Sequence, residues 1–147
     1  MTVLAAIGET ERSRRAAEIG YDLATTYDET LVALHVVPEA DFQSHREAVA
    51  DVPDVRVDID QEAESARTFA ERFLAETVED LDRAVIEPRG RVGDVTEEIL
   101  AETDAVEPQY LVVGGRRRSP AGKALLGDTA QQILLNADCP VVTRLQE

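Results

Sequence analysis

The segment TVLAAI, Thr2–Ile7, is a short apolar run without polar alternation. A strand with one wet face alternates apolar and polar residues, whereas a strand covered on both faces does not. The opening segment therefore predicts a strand of a parallel sheet with helices on its faces. Gly8 breaks the run, and Glu9 or Thr10 can start a helix reaching about Thr25, with Ala16, Ala17, Ile19 and Leu23 near helical spacing.

The rest of the chain repeats this alternation. ETLVALHVVP predicts a second strand over Thr30–Val37, stopped by Pro38. The segment from Glu39 to Asp58 is less regular, with room for a short helix near Phe42–Val49. A long helix is expected from Asp60 to Leu81, because Ala63, Ala66, Ala70, Phe73, Leu74 and Val78 share a face. A third strand over Arg83–Pro88, a helix over Thr96–Thr103 and a fourth strand over Tyr110–Val113 follow. A helix over Asp128–Asn136 and a last strand in CPVVTRL close the series. Helices between buried strands mean an α/β sheet with right-handed crossovers. There is no internal repeat, low-complexity tract or linker, so one domain over residues 1–147 is expected.

Charge narrows the partners. Acidic residues number 30 against 15 basic ones, for a net charge of −15, and Lys123 is the only lysine. Two readings fit: a protein of molar-salt cytoplasm, where a Debye length of ~3 Å screens the self-repulsion, or an ordinary acidic cytosolic protein. The basic residues form one short cluster, Arg116–Arg118, so a nucleic-acid surface is not expected. No apolar run approaches the ~20 residues of a membrane span, and MTVLAAIGETERSRR turns acidic too soon for a signal peptide. Cytoplasmic location follows as the expectation, and the lone Cys139 suits a reducing compartment.

Most catalytic frames fail on counting. A P-loop needs a glycine five positions before its Gly-Lys and a hydroxyl after it. Gly122 and Lys123 supply the pair, but Arg117 and Ala124 occupy the other two places. The dinucleotide fingerprint is absent beyond Gly8, and there is no nucleophile elbow. Cys139, before Pro140 and an apolar strand, reads as a packed core thiol. His35 reads as a packed or hydrogen-bonded residue within a strand, and His45 as solvated in the irregular segment. Two histidines and one cysteine without close spacing make no transition-metal site. In an open α/β sheet, ligands gather where strands end at the switch in strand order. The relevant ends are Ile7-Gly8, Val36-Val37 and Val113-Gly114. The helix predicted after Gly127 offers unpaired N–H groups suited to phosphate.

The whole chain resembles a universal stress protein of the UspA type. The likeness rests on the first strand and helix, on LVALHVVPE and GDVTEEIL, and most on YLVVGGRRRSPAGKALLGDTAQQILLNADCPVVTRL. Relatives carry there a glycine, two residues, a glycine, nine residues, a glycine and then Ser or Thr. Here that frame reads Gly114, Arg117, Gly127 and Asp128. The resemblance implies a three-layer α/β/α sandwich around a Rossmann-like five-stranded parallel sheet, of the adenine-nucleotide alpha-hydrolase-like kind. It also implies a homodimer through the last strand (Val141, Val142, Thr143, Arg144, Leu145), and a non-catalytic module, not an enzyme.

One branch of the family binds ATP at this frame and another does not. The implied nucleotide contacts are Ile7, Gly8, Val36, Val113, Gly114, Arg116, Arg117, Gly127, Asp128 and Thr129. Arg117 replaces a glycine, and Gly8 stands where binders carry an aspartate. Asp128 replaces a hydroxyl residue and is expected to cap the following helix itself. Its charge disfavours ATP more than AMP, whereas Arg116, Arg117, Arg118 and Lys123 attract phosphate. Mg²⁺ is expected only with ATP. The alternative is a UspA-type dimer that has lost the nucleotide and serves as an interaction or chaperone-like module.

Overall fold

The computed structural model describes residues 1–118 and 125–146, with backbone alone at 117, 118 and 125. Lys123, within 119–124, lies outside the described residues. The strands are β1 (Thr2–Ile7), β2 (Thr30–Pro38), β3 (Ile86–Gly93), β4 (Tyr110–Arg118), the two-residue β5 (Leu125–Leu126) and β6 (Val141–Gln146). The helices are α1 (Glu11–Thr26), α2 (Glu39–Ala48), α3 (Ile59–Thr77), α4 (Val95–Val106) and α5 (Asp128–Asn136). Five strands pair in parallel in the order β3-β2-β1-β4-β6, and β5 forms a short antiparallel ladder with the end of β4.

Alternate residues of the central strands divide between two cores. Val3, Ala5, Ile7, Leu31, Ala33 and Val112 pack with Ala16, Ala17 and Ala24 of α1 and with Ala70 and Leu74 of α3. Leu4, Val32, Leu34, Val36, Leu111 and Val113 pack with Ile99 of α4 and Ile133 of α5. The sheet is thus covered on both faces, which is why its central strands show no polar alternation.

Three elements depart furthest from the sequence expectation, while α2 and α4 begin or end within three residues of it. Arg83–Val85 is a single 3₁₀ turn, and β3 begins at Ile86 and runs through Pro88 to Gly93. Proline ends a central strand, but β3 pairs only with β2 among the described residues, and an edge strand tolerates the missing N–H. Helix α3 ends at Thr77, with Val78 as its extended C-cap, so the last four residues expected in it lie outside. Strand β4 runs five residues beyond Val113. Gly114, Gly115 and Arg116 align with Arg144, Leu145 and Gln146, and Arg117 and Arg118 align with Leu126 and Leu125. The two glycines do not break the strand, because β6 and β5 continue the ladder beside it.

Candidate functional site

The order β2-β1-β4 reverses the direction of winding between β1 and β4, the switch point at which open α/β sheets bind ligands. A cavity of about 580 Å³ opens there, at the carboxyl ends of β1, β2 and β4. That volume falls in the range typical of small-molecule sites.

The wall on the β1 side is built by the start of α1. Thr10 has extended backbone and caps the helix, accepting from the Ser13 N–H. The Ser13 hydroxyl oxygen accepts at 2.7 Å from the Gly8 N–H, which folds the chain back at the strand end. Arg12, in the same turn, also lines the cavity. Gly114 lies directly beneath this turn: a Cβ added there would stand 2.9 Å from the Arg12 carbonyl oxygen and 2.9 Å from its Cβ. The first glycine of the frame is therefore required by helix α1, whatever the cavity holds.

The β2 wall includes His35 to Pro38. His35 Nδ1 lies 2.9 Å from the Ile7 carbonyl oxygen, and its ring packs against Phe69 with centroids 4.3 Å apart and the planes tilted by 38°. A carbonyl only accepts, so Nδ1 carries the hydrogen and Nε2 is left as an acceptor in the neutral ring. Beyond Pro38, helix α2 places Asp41 and His45 at the rim and buries Phe42 beneath them. His45 is exposed, as the sequence suggested, but it is not in an irregular segment. It sits on α2 and pairs through Nδ1 with Glu62 Oε1 of α3 at 2.6 Å.

The far wall is α4 and α5, through Val95, Ile99, Thr129 and the fully buried Ile133. The N-cap of α5 is Gly127, with ψ 153°, and no side chain caps this end among the described residues. Asp128 was expected to be the cap, and that expectation is corrected. It has already entered the helix, and a cap needs the extended backbone that Gly127 supplies. Its carboxylate is exposed in the first turn.

Of the residues named from sequence, the structure brings Ile7, Gly8, Val36, Val113, Gly114 and Thr129 together around the cavity. Arg116 is exposed on β4 and does not line it, although its carbonyl accepts from the Gly127 N–H at 3.0 Å. Gly127 and Asp128 stand beside the cavity at the start of α5, and the Arg117 side chain lies outside the described residues. Val141, Val142, Thr143, Arg144 and Leu145 form β6, which pairs with β4 on one side. Sequence reasoning missed Arg12, Ser13, Asp41 and His45. The hydroxyls at Thr10 and Ser13, three apart after a strand, were the available signal for the first turn of α1.

Cys139 is half-buried against the α4–α5 core. Burial, with the negative charge of Asp138, pushes its thiol above the ordinary range, the reverse of what a nucleophile needs. Among the described residues no group of three or more His, Cys, Asp or Glu is placed to hold a metal ion, and no helix is long and apolar enough to cross a membrane.

The family model for universal stress proteins matches residues 1–143. The chain belongs to the universal stress protein family. A universal stress protein of Mycolicibacterium smegmatis is 47% identical over 49 residues, 33% of this chain, so the match spans only 38% of that relative. Among solved structures, a universal stress protein in complex with cAMP superposes with a TM-score of 0.63 at 15% identity, covering 99% of this chain and 96% of that one. The universal stress protein of Archaeoglobus fulgidus in complex with dAMP gives 0.59 at 15% identity, covering 97% and 96%. At such identities these two universal stress protein structures speak for the fold.

Proposed function

We propose that this chain is a single-domain, non-catalytic nucleotide-binding module that holds an adenine mononucleotide in the β1/β2/β4 cavity. One observation carries the reading: the cavity reaches the N-terminal turn of α5, which no described side chain caps, with Thr129 on the wall. That turn supplies N–H groups and the positive end of the helix dipole to a phosphate. The cAMP and dAMP complexes of the structural relatives support adenine nucleotides as the class.

Asp128 sets the preference within that class. Its carboxylate, which pairs with no described residue, stands in the turn that would meet phosphate, and like charges in a partly dry site repel by about one to several kcal/mol. AMP brings less charge than ATP and is the favoured ligand. Mg²⁺ enters only with ATP. Binding is weaker than in relatives that keep glycine at the position of Arg117. The module works in the cytoplasm as a homodimer through β6, whose outer edge meets no strand among the described residues.

The test is to purify the protein in high KCl, denature it and identify released nucleotide by mass spectrometry. AMP and ATP are then titrated calorimetrically, with and without Mg²⁺, and the mass is read by light scattering. Asp128→Ser is expected to raise ATP affinity about tenfold, equivalent to about 1.4 kcal/mol, and to change AMP affinity less. No released nucleotide and no binding of either at millimolar concentration overturns the reading. A dimer in that case leaves the interaction-module alternative.

A further inference from the structure

We propose that Asp41 of α2 is the specificity-determining residue of the cavity, accepting a hydrogen bond from the nucleoside end of the bound nucleotide; this rests on the nucleotide reading above. The cavity has two chemically different ends. Beside β4 it has the start of α5, Thr129 and, across from them, Arg12. Beside β2 it has α2, with Asp41 and His45 one turn apart on the rim. In the order β2-β1-β4 these ends are two strand spacings apart, roughly 10 Å. A nucleotide lying across them has to choose a direction. Its phosphate is drawn to the helix start and the guanidinium, which together outweigh the Asp128 carboxylate there, whereas no described arginine lines the α2 end to offset Asp41, so the nucleoside faces α2.

The polar side chains between the two ends are each partly engaged within the protein, His35 keeping Nε2 as an acceptor. Ser13 accepts from the Gly8 N–H, Thr10 caps α1, and His35 donates to the Ile7 carbonyl. Asp41 makes no hydrogen bond to any described residue, so its acceptor oxygens are available to a ligand. Its helix is held in place from both sides: Phe42 is 3% exposed beneath it, and His45 is tied to Glu62 of α3. An ionised carboxylate only accepts, so its partner is a donor, either the exocyclic amine of adenine or a ribose hydroxyl. Glu9 is the other carboxylate among the described lining residues, but it follows β1 and precedes α1 and does not stand on α2.

The experiment titrates AMP, IMP and dAMP into the wild-type protein and into Asp41→Asn and Glu9→Gln, calorimetrically in high KCl. IMP replaces the amine with a carbonyl, and dAMP lacks the 2′-hydroxyl. The wild type is expected to favour AMP at least tenfold over one of the two, and which one names the donor. Asp41→Asn, whose amide can donate as well as accept, is expected to reduce that ratio to within about threefold, and Glu9→Gln to leave it unchanged. Asp41 is exposed, so the thermal midpoint of the variant should match the wild type and separate this effect from misfolding. If AMP binds the wild type but Asp41→Asn keeps the wild-type ratios, or if Glu9→Gln alone moves them, this proposal is overturned and the nucleotide reading stands. If the wild type binds none of the three, both fall.

Discussion

Gly90→Ala is expected to destabilise the protein by about 3 kcal/mol or more, and in dilute buffer to leave much of it unfolded. Gly90 lies within β3, aligned with His35, directly under α3. An added Cβ would fall well inside van der Waals contact of the Ala63 carbonyl oxygen, 2.5 Å from the Arg67 nitrogen and 2.8 Å from the Ala66 Cβ. The first two are backbone atoms of a helix, so no rotamer change relieves the clash. The helix has to lift, and lifting it pulls Ala66, Ala70 and Leu74 away from the sheet. Overpacking a tight core costs about 1–3 kcal/mol where side chains can adjust, and more where they cannot. Gly127→Ala is the control, because its Cβ would meet Arg116 at an ordinary 3.7 Å. Urea denaturation in matched salt measures both. A Gly90→Ala protein within 1 kcal/mol of wild type would show that α3 rides further from the sheet than described.

This helix-to-sheet contact was only half visible in the sequence. The stripe of Ala63, Ala66 and Ala70 announces a helix that can approach closely. Nothing local, however, says that the residue it approaches is 20 or more positions later, in a strand that the proline rule would have ended at Pro88. The strand boundaries that went astray share this cause. Gly114 and Gly115 look like punctuation, yet β4 continues through them because β6, arriving from the end of the chain, hydrogen-bonds alongside. Where the signal was local, the reading and the structure agree closely: α5 spans Asp128–Asn136, and β1 spans Thr2–Ile7.

The candidate site divides in the same way. Ile7, Gly8, Val36, Val113 and Gly114 could be named because ligands collect where parallel strands end, and strand ends are marked in the sequence by a Gly or Pro after an apolar run. Asp41 and His45 could not. They ride on a helix whose apolar signal is weak, with Phe42 its one buried residue, and they are placed by a pair formed across 17 residues of chain. Asp128 was misjudged by one position. Capping depends on the residue whose backbone is still extended at the helix start, and Gly127-Asp128 offers two candidates to a reader without dihedral angles.

Glu102→Ala is expected to cost about 3 kcal/mol, and the cost should persist in concentrated salt. Glu102 of α4 is 2% exposed. Its Oε2 accepts from Arg91 Nε at 2.7 Å, and Arg89 stands 3.5 Å from Oε1, which has no hydrogen bond among the described residues. Arg91 also reaches Glu98 at 3.3 Å. Burial alone would lower the Arg91 pKa, yet the hydrogen bonds and charges of Glu102 and Glu98 hold it above the ordinary value. Removing the acid leaves two neighbouring guanidinium groups facing α4 without their shared counter-ion. Breaking a buried pair on one side costs about 3–5 kcal/mol, and the low end applies here because both arginines reach water and can rehydrate. Glu102→Gln keeps the shape and one acceptor, so it should cost about half as much. The exposed pair Arg67–Glu64 is the contrast, held in open solvent, contributing little and vanishing with salt. Raising KCl from ~0.2 M to ~3 M shortens the Debye length to a few ångströms or less, which screens the surface but not a carboxylate sealed between strand and helix. Denaturation of the two Glu102 variants at both salt concentrations decides the matter. A penalty that disappears at high salt would mean that water and ions reach the carboxylate. A persistent one would mean that β3 and α4, which touch only at the edge of the sheet, are joined by charge where the apolar core runs out.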